Sequence, residues 1–478
     1  MTRLHSLTRL VTQPSAEHLV LLVVLVVVGL AAVWILAHVS VATVFAVGLG
    51  SEIFSSNWKY LGIPIPLDRV FFVVGLLILV FSGGRAVSDR RITFRPIHLL
   101  LLATAGWATA SAIGAGTIGT SPGFFALLDR LGLLPFLMFA LAPLIFGDAR
   151  RRNTLLIVLV VVGFYLGSIG VAEGLGIHRL VIPSYINNPN IGIHAERARG
   201  PFLEADAMGF GLYVGAVGAA IGLGTWRSHR AQVICVLTLV LDGLGIFFTV
   251  TRAVWLGAAL GVVVAFASHR RLRRLLVPMG IAGAAVVALS LLLVPGLSNK
   301  VDGRVSSASP VWDRYNTNDA AIRAAEAHPV TGIGWQTFES SSTTYLRQAD
   351  TYPLTGADLE VHNVFLSHLA ELGVPGAVMW ALALFAAVGG ACLRRAPPGL
   401  EAWRLGLRAF FVMFLFIALF APLSDALPNL FLWLMAGIVS VERHSRLREP
   451  APSGGGARAV GATQDPSERL AVPVGAAE

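Results

Sequence analysis

The chain has 478 residues, 55% hydrophobic and 13% charged, with a formal net charge of +9 and a mean hydropathy of +0.72. Soluble globular domains carry about 25% charged residues, so a soluble fold is excluded and an integral membrane protein is expected. The positive charge does not indicate a nucleic-acid partner, because the arginines fall in short clusters between apolar runs, the pattern that sets membrane topology.

At roughly 20 residues per membrane helix, the apolar runs predict twelve spans. They lie near residues 19–45, 70–83, 97–113, 131–147, 153–172, 206–225, 231–249, 253–268, 275–294, 363–391, 406–421 and 424–441. Arg3 and Arg9 precede the first run, which extends from Leu19 to Leu49. A signal-peptide core is about 7–15 residues, so this longer run is expected to be retained as a span. It accommodates one tilted helix or two short ones meeting near His38. Cys235 and Cys392 both lie in or beside apolar runs and form neither a disulfide nor a metal pattern.

Basic clusters stand at Arg85/Arg90/Arg91/Arg95, Arg150–Arg152, Arg227/Arg230, Arg270–Arg274 and Arg394/Arg395/Arg404/Arg408, with Arg443, Arg446 and Arg448 following. With twelve spans, all of these fall on the cytoplasmic side, and both termini join them. The expected layout is a cytoplasmic N-terminus (1–18), nine helices (19–294), an extracytoplasmic loop (295–361), three helices (362–441) and a disordered cytoplasmic tail (442–478). Segments 173–205, 249–252 and 295–361 then lie outside, the last with an amphipathic helix at 313–327.

The charges on that outer side carry the candidate chemistry. Arg252 sits alone between two apolar helices joined by almost no loop. An arginine there either snorkels to the headgroups or serves a function. Arg197 and Arg199 precede the sixth span, and Arg304 and Arg314 lie in the long loop. His362 and Asn363 open the tenth span, where Asn363 can be the helix N-cap. Glu371 lies well inside that span and needs a partner. A cationic outer pocket suits a phosphate or diphosphate, whose oxygens match the guanidinium fork. A histidine beside it can position or deprotonate a hydroxyl. No metal-ligand spacing and no glycine-rich phosphate loop occurs, so neither a metal, a cofactor nor ATP is expected.

Four patches resemble the O-antigen ligase and polymerase superfamily of bacterial membrane glycosyltransferases. They are Arg199-Gly200-Pro201-Phe202, Thr251-Arg252-Ala253-Val254-Trp255-Leu256-Gly257, Arg314 through His328-Pro329-Val330-Thr331-Gly332-Ile333-Gly334-Trp335, and His362-Asn363-Val364-Phe365-Leu366 through Glu371-Leu372-Gly373-Val374-Pro375-Gly376. The resemblance covers roughly residues 195–380. Two departures stand out: Glu204-Ala205-Asp206 where the family has Asn-Pro-Asn, and Asn318 where it has tryptophan.

The resemblance implies an all-α, GT-C-like polytopic fold in the bacterial cytoplasmic (inner) membrane. It implies transfer of a glycan from an undecaprenyl-diphosphate carrier to a hydroxyl of a glycan, lipid or protein acceptor on the extracytoplasmic side. It casts Arg252 and Arg314 as the cations facing the diphosphate and His362 as the group acting on the acceptor hydroxyl. Arg199, Arg197, Arg304, Asn363 and Glu371 are expected to contact substrate. A polymerase is the near alternative. A secondary transporter is the further one, with Glu371, Asp242 and Asp425 as its ionisable groups. A scaffold without chemistry leaves Arg252 unexplained.

Overall fold

A computed structural model describes residues 39–81, 94–294, 296–306, 309–347, 360–423 and 425–440. The expected N-terminal segment, most of the first run and the expected C-terminal tail lie outside these residues. All regular structure among the described residues is helical: α1 (Val41–Ser51), α2 (Leu67–Phe81), α3 (Pro96–Gly114), α4 (Leu133–Ile145), α5 (Ala149–Gly174), α6 (Ala205–Thr225), α7 (His229–Phe248), α8 (Arg252–Ala267), α9 (Leu276–Leu293), α10 (Leu297–Ser306), α11 (Ser309–Ala327), α12 (Phe338–Tyr345), α13 (Val364–Leu384), α14 (Glu401–Ala418) and α15 (Ala426–Val439). Every apolar run from residue 70 onward thus forms a helix close to its expected bounds.

Seven segments among the described residues are long and apolar enough to cross a membrane: Pro96–Gly114, Ser121–Ile145, Ala149–Gly174, Ala205–Thr225, His229–Phe248, Leu272–Leu293 and Val364–Leu393. The protein is therefore a helical, multi-span membrane protein. Others are shorter than the expectation of twelve full spans required. The 14 residues of α15 extend about 21 Å at 1.5 Å per residue, less than the hydrocarbon core of about 30 Å. All of α15 is buried in protein, against α4 and α14, so its length need not match the lipid. Phe136 meets Trp433 edge to face at 4.8 Å, and Phe410 meets Phe431 likewise at 4.8 Å. Within the first apolar run, α1 begins after Ser40, which is extended and caps it by accepting from Thr43 N.

Glycine sets the closest packing in the bundle. A Cβ on Gly163 of α5 would lie 2.6 Å from Gly215 Cα of α6, so these backbones are in direct contact. Asp242 of α7 is wedged against the same two glycines and is fully buried.

The helix ends fall into two chemically distinct sets. Arg95, Arg150–Arg152, Arg227, Arg230, Arg270–Arg274 and Arg394–Arg408 lie at the starts and ends of helices at one end, termed here the arginine end. The connections 52–66, 115–132, 175–204 and 249–251, with residues 328–337 and 360–363, form the other, the loop end. They interlock there: Asn57 Nδ2 donates to Pro201 O at 2.8 Å, Trp335 Nε1 to Gly123 O at 3.3 Å, and Ala198 N to Phe248 O at 3.0 Å.

Candidate functional site at the loop end

The tenth predicted span is a helix broken in its first half. Gly373 adopts φ 69° and ψ −180°, and Pro375, two residues on, has no N–H to continue the ladder. The turn 328–336 fills the gap. Ile333 N donates to Ala370 O (2.9 Å), Gly334 N to Glu371 O (3.1 Å) and Val374 N to Pro329 O (2.8 Å), while Trp107 Nε1 donates to Leu372 O at 2.9 Å. Every carbonyl freed from Ala370 to Leu372 is thereby satisfied, as burial in a membrane protein demands. The third and fourth sequence patches are one structural unit. The alanine face of α11 (Ala320, Ala321, Ala324) packs on Ala370 and completes it. The first and second patches are joined in the same manner through Ala198 and the α7–α8 turn.

Phe202 and Gln336 of these units border a cavity of about 840 Å³, lined also by Glu52, Tyr60, Arg130, Glu204 and Asp425. A second cavity of about 40 Å³, room for a few waters, shares Arg130 and Gln336 with it and is lined further by Glu360, Ser367, His368 and Glu371. Arg130 Nη2 pairs with Glu360 at 2.7 Å and bridges the α4 region to the residues before α13. Burial first, then the neighbouring charges of Asp206 and Asp425, holds the Glu204 carboxyl well above the usual carboxylate range. Burial, followed by Asp206, pushes Asp425 up to about 7.

The predicted residues separate into groups. Arg199 is 1% exposed, and its guanidinium donates to four backbone carbonyls: Ile191 and Ile193 from Nη1 (2.6 and 3.4 Å), Ile186 and Asn188 from Nη2 (2.9 and 2.6 Å). Glu173 Oε2 accepts from the backbone N–H of Arg199 (3.2 Å) and Gly200 (2.9 Å). Arg199 is thus the hub of the 186–200 loop, with its donors committed to the chain. Arg197 Nε pairs with Glu196 at 3.1 Å. Asn363 is the N-cap of α13 and accepts from Phe365 N (3.0 Å) and Leu366 N (3.2 Å). Glu371 is 3% exposed and accepts from Phe338 N at 3.2 Å through Oε1, so part of its partnering is the start of α12.

Arg252 opens α8, Arg314 is half-buried on α11, and Arg304 lies on α10. His362 lies just before the cap of α13, with Nδ1 3.0 Å from Glu360 O. It is two residues from Glu360, which lines the smaller cavity; Arg252, Arg314 and His362 themselves are not part of the described lining of either cavity.

Sequence reasoning passed over Arg130, Gln336, Glu360 and His368. His368 is 4% exposed and sits between Trp380 (4.4 Å between ring centroids) and Trp335 (5.7 Å). Neither of its ring nitrogens has a hydrogen-bond partner among the described residues. It falls five residues past the cap Asn363, about one and a half helical turns. Arg130 and Glu360 come from segments 230 residues apart and carry no local signal of their pairing.

Among the described residues no cluster of histidine, cysteine or carboxylate side chains is arranged to hold a metal ion. No curated protein matches the chain. Residues 237–381 match the O-antigen ligase family, a stretch running from α7 through the broken half of α13 and including Arg252, Arg314, the 328–336 turn and His362. Over this stretch, under a third of its length, the chain is similar to the O-antigen ligase family.

Proposed function

We propose that the protein is a glycosyltransferase of the ligase type, acting at the outer leaflet of the bacterial cytoplasmic membrane with its loop end outside. Its donor is a glycan on undecaprenyl diphosphate. An acceptor hydroxyl oxygen attacks the anomeric carbon, the bond from that carbon to the diphosphate oxygen breaks, and the lipid diphosphate leaves with the electron pair. His362 orients the hydroxyl and takes its proton. Arg252 and Arg314 offset the charge that grows on the leaving diphosphate. In this reading about twelve helices traverse the bilayer and the arginine end faces the cytoplasm.

The observation that carries the reading is a cavity large enough for sugar residues, lined by Phe202 of the first patch and by Gln336 beside the third, next to a smaller cavity that reaches Trp335 of the third patch and Val364 and Glu371 of the fourth. A polymerase uses the same donor chemistry with a second carrier-linked glycan as acceptor and is the alternative within the superfamily. A broken helix such as α13 is also a transporter feature. Here its freed carbonyls are taken by Ile333, Gly334 and Trp107, which leaves no ring of carbonyls for an ion.

Deleting the gene and resolving the surface glycans on a gel, with the lipid-linked pool measured in parallel, tests the proposal. Loss of attached polymer with long chains retained on the carrier supports a ligase. Attached single repeats without long chains indicate a polymerase. Normal profiles in both pools overturn the transferase reading.

A further inference from the structure

The larger cavity is built mainly from segments 52–69 and 121–130, far ahead of the stretch that matches the family. Its wall joins aromatic faces to oxygen acceptors. Tyr60 is 39% exposed and stands beside Tyr185 at 5.5 Å, and Phe125 is 40% exposed. Glu52 is 2% exposed, lines the cavity, and neither of its carboxyl oxygens has a well-formed hydrogen bond among the described residues. Glu204 and Asp425 face the same space.

The cations of this wall are engaged. Arg69 holds Asp129 with both terminal nitrogens and Asp68 through Nε at 3.0 Å. Arg130 holds Glu360, and Lys59 lies over the Tyr60 ring at 5.0 Å. What the cavity offers a ligand is therefore flat apolar surface and carboxyl oxygen. Sugar rings present C–H faces that pack on aromatic rings and hydroxyls that donate to oxygen acceptors. An ammonium group gains a charge-assisted bond from the same oxygens. An acidic sugar brings a further anion into a partly enclosed space whose cations already have partners, which is costly.

We propose that this cavity seats a sugar of the donor or acceptor glycan, and that it selects sugars bearing hydroxyl or amino groups over acidic ones. Its place in the reaction rests on the transferase reading; its ligand preference does not. It also gives a use to Glu204 of the Glu204-Ala205-Asp206 departure, a carboxyl on this wall where the family carries an amide.

The test uses the full-length protein in lipid nanodiscs and the fluorescence of its tryptophans, of which Trp58 lines the cavity. Three probes of equal length are titrated: the tetramer of glucosamine, its N-acetylated form, and tetragalacturonate. Saturable binding of the first two and none of the third is expected. Asp425→Asn is expected to weaken the glucosamine tetramer about tenfold, the scale of one hydrogen bond to a charged group, and to spare the N-acetylated one. Tyr60→Ala is expected to weaken both. Binding of tetragalacturonate as tight as the others, or of none of the three, overturns the proposal. The charge preference together with normal glycan profiles in the deletion strain keeps the cavity and removes the transferase. Loss of polymer in that strain with acidic sugars preferred keeps the transferase and removes the charge preference.

Discussion

Gly332 and Gly373 face each other across the break in α13, so closely that a Cβ on Gly332 would lie 2.6 Å from Gly373 N and one on Gly373 would lie 2.8 Å from Gly332 N. Both have positive φ, 66° and 69°. Gly373→Ala therefore meets strain and overlap together. Such backbone positions cost about 1–3 kcal/mol each before any clash is counted. The expected result is a lower thermal midpoint and reduced yield of monodisperse protein in detergent. An unchanged melting curve would show that the turn and the helix are not packed as described.

Arg199 is expected to behave as a structural residue. Arg199→Ala strands the carbonyls of Ile186, Asn188, Ile191 and Ile193, at about 1–3 kcal/mol for each that stays buried and unpaired. Arg199→Lys does not rescue it, since an ammonium cannot reach four acceptors spread across a planar fork. Thermal unfolding checks this. A variant of wild-type stability with lost transfer would return Arg199 to the substrate.

Arg252, Arg314 and His362 are expected to show the opposite signature. Alanine at any of them should leave the melting temperature close to wild type and lower transfer from a lipid-diphosphate donor on the order of 10²–10³-fold. Well-folded variants with full activity would remove the assigned roles.

Asp425 gives a pH signature. A carboxyl whose pKa is higher in the folded chain binds its proton more tightly there. Its stabilising contribution is complete below the unfolded value of about 3.9 and is lost as pH rises through about 7. Burial, then Asp206, is the cause. Asp425→Asn should therefore melt higher than wild type above that pH and no higher at about pH 4. Equal differences at both would mean that the carboxyl ionises as freely in the folded chain as in the unfolded one.

Hydropathy made the helices legible because lipid punishes polar side chains wherever a helix faces it. The runs at 153–172, 206–225 and 231–249 needed nothing else. Hydropathy fails where protein replaces lipid as the surroundings. Thus α15 reads as an ordinary span yet is wrapped by its neighbours, and α1 starts at a Ser40 cap that hydropathy alone does not mark. The site was legible as motifs and not as partnerships. Nothing local distinguishes Arg199, spent on carbonyls, from Arg252 at a helix start. Arg130 meets Glu360 through folding across the whole chain, so neither stood out. Asn363 was readable because capping is decided within three residues.

The loop end is fastened by two kinds of clasp. Arg130 and Glu360 are both charged and both partly open to solvent, so dissolved ions compete for them and their hold loosens as ionic strength rises. Arg199 is itself buried and grips uncharged carbonyls, so no counterion of its own has to be displaced by salt. The loop end thus keeps one rivet and one adjustable catch, and the catch is the one that borders the cavity.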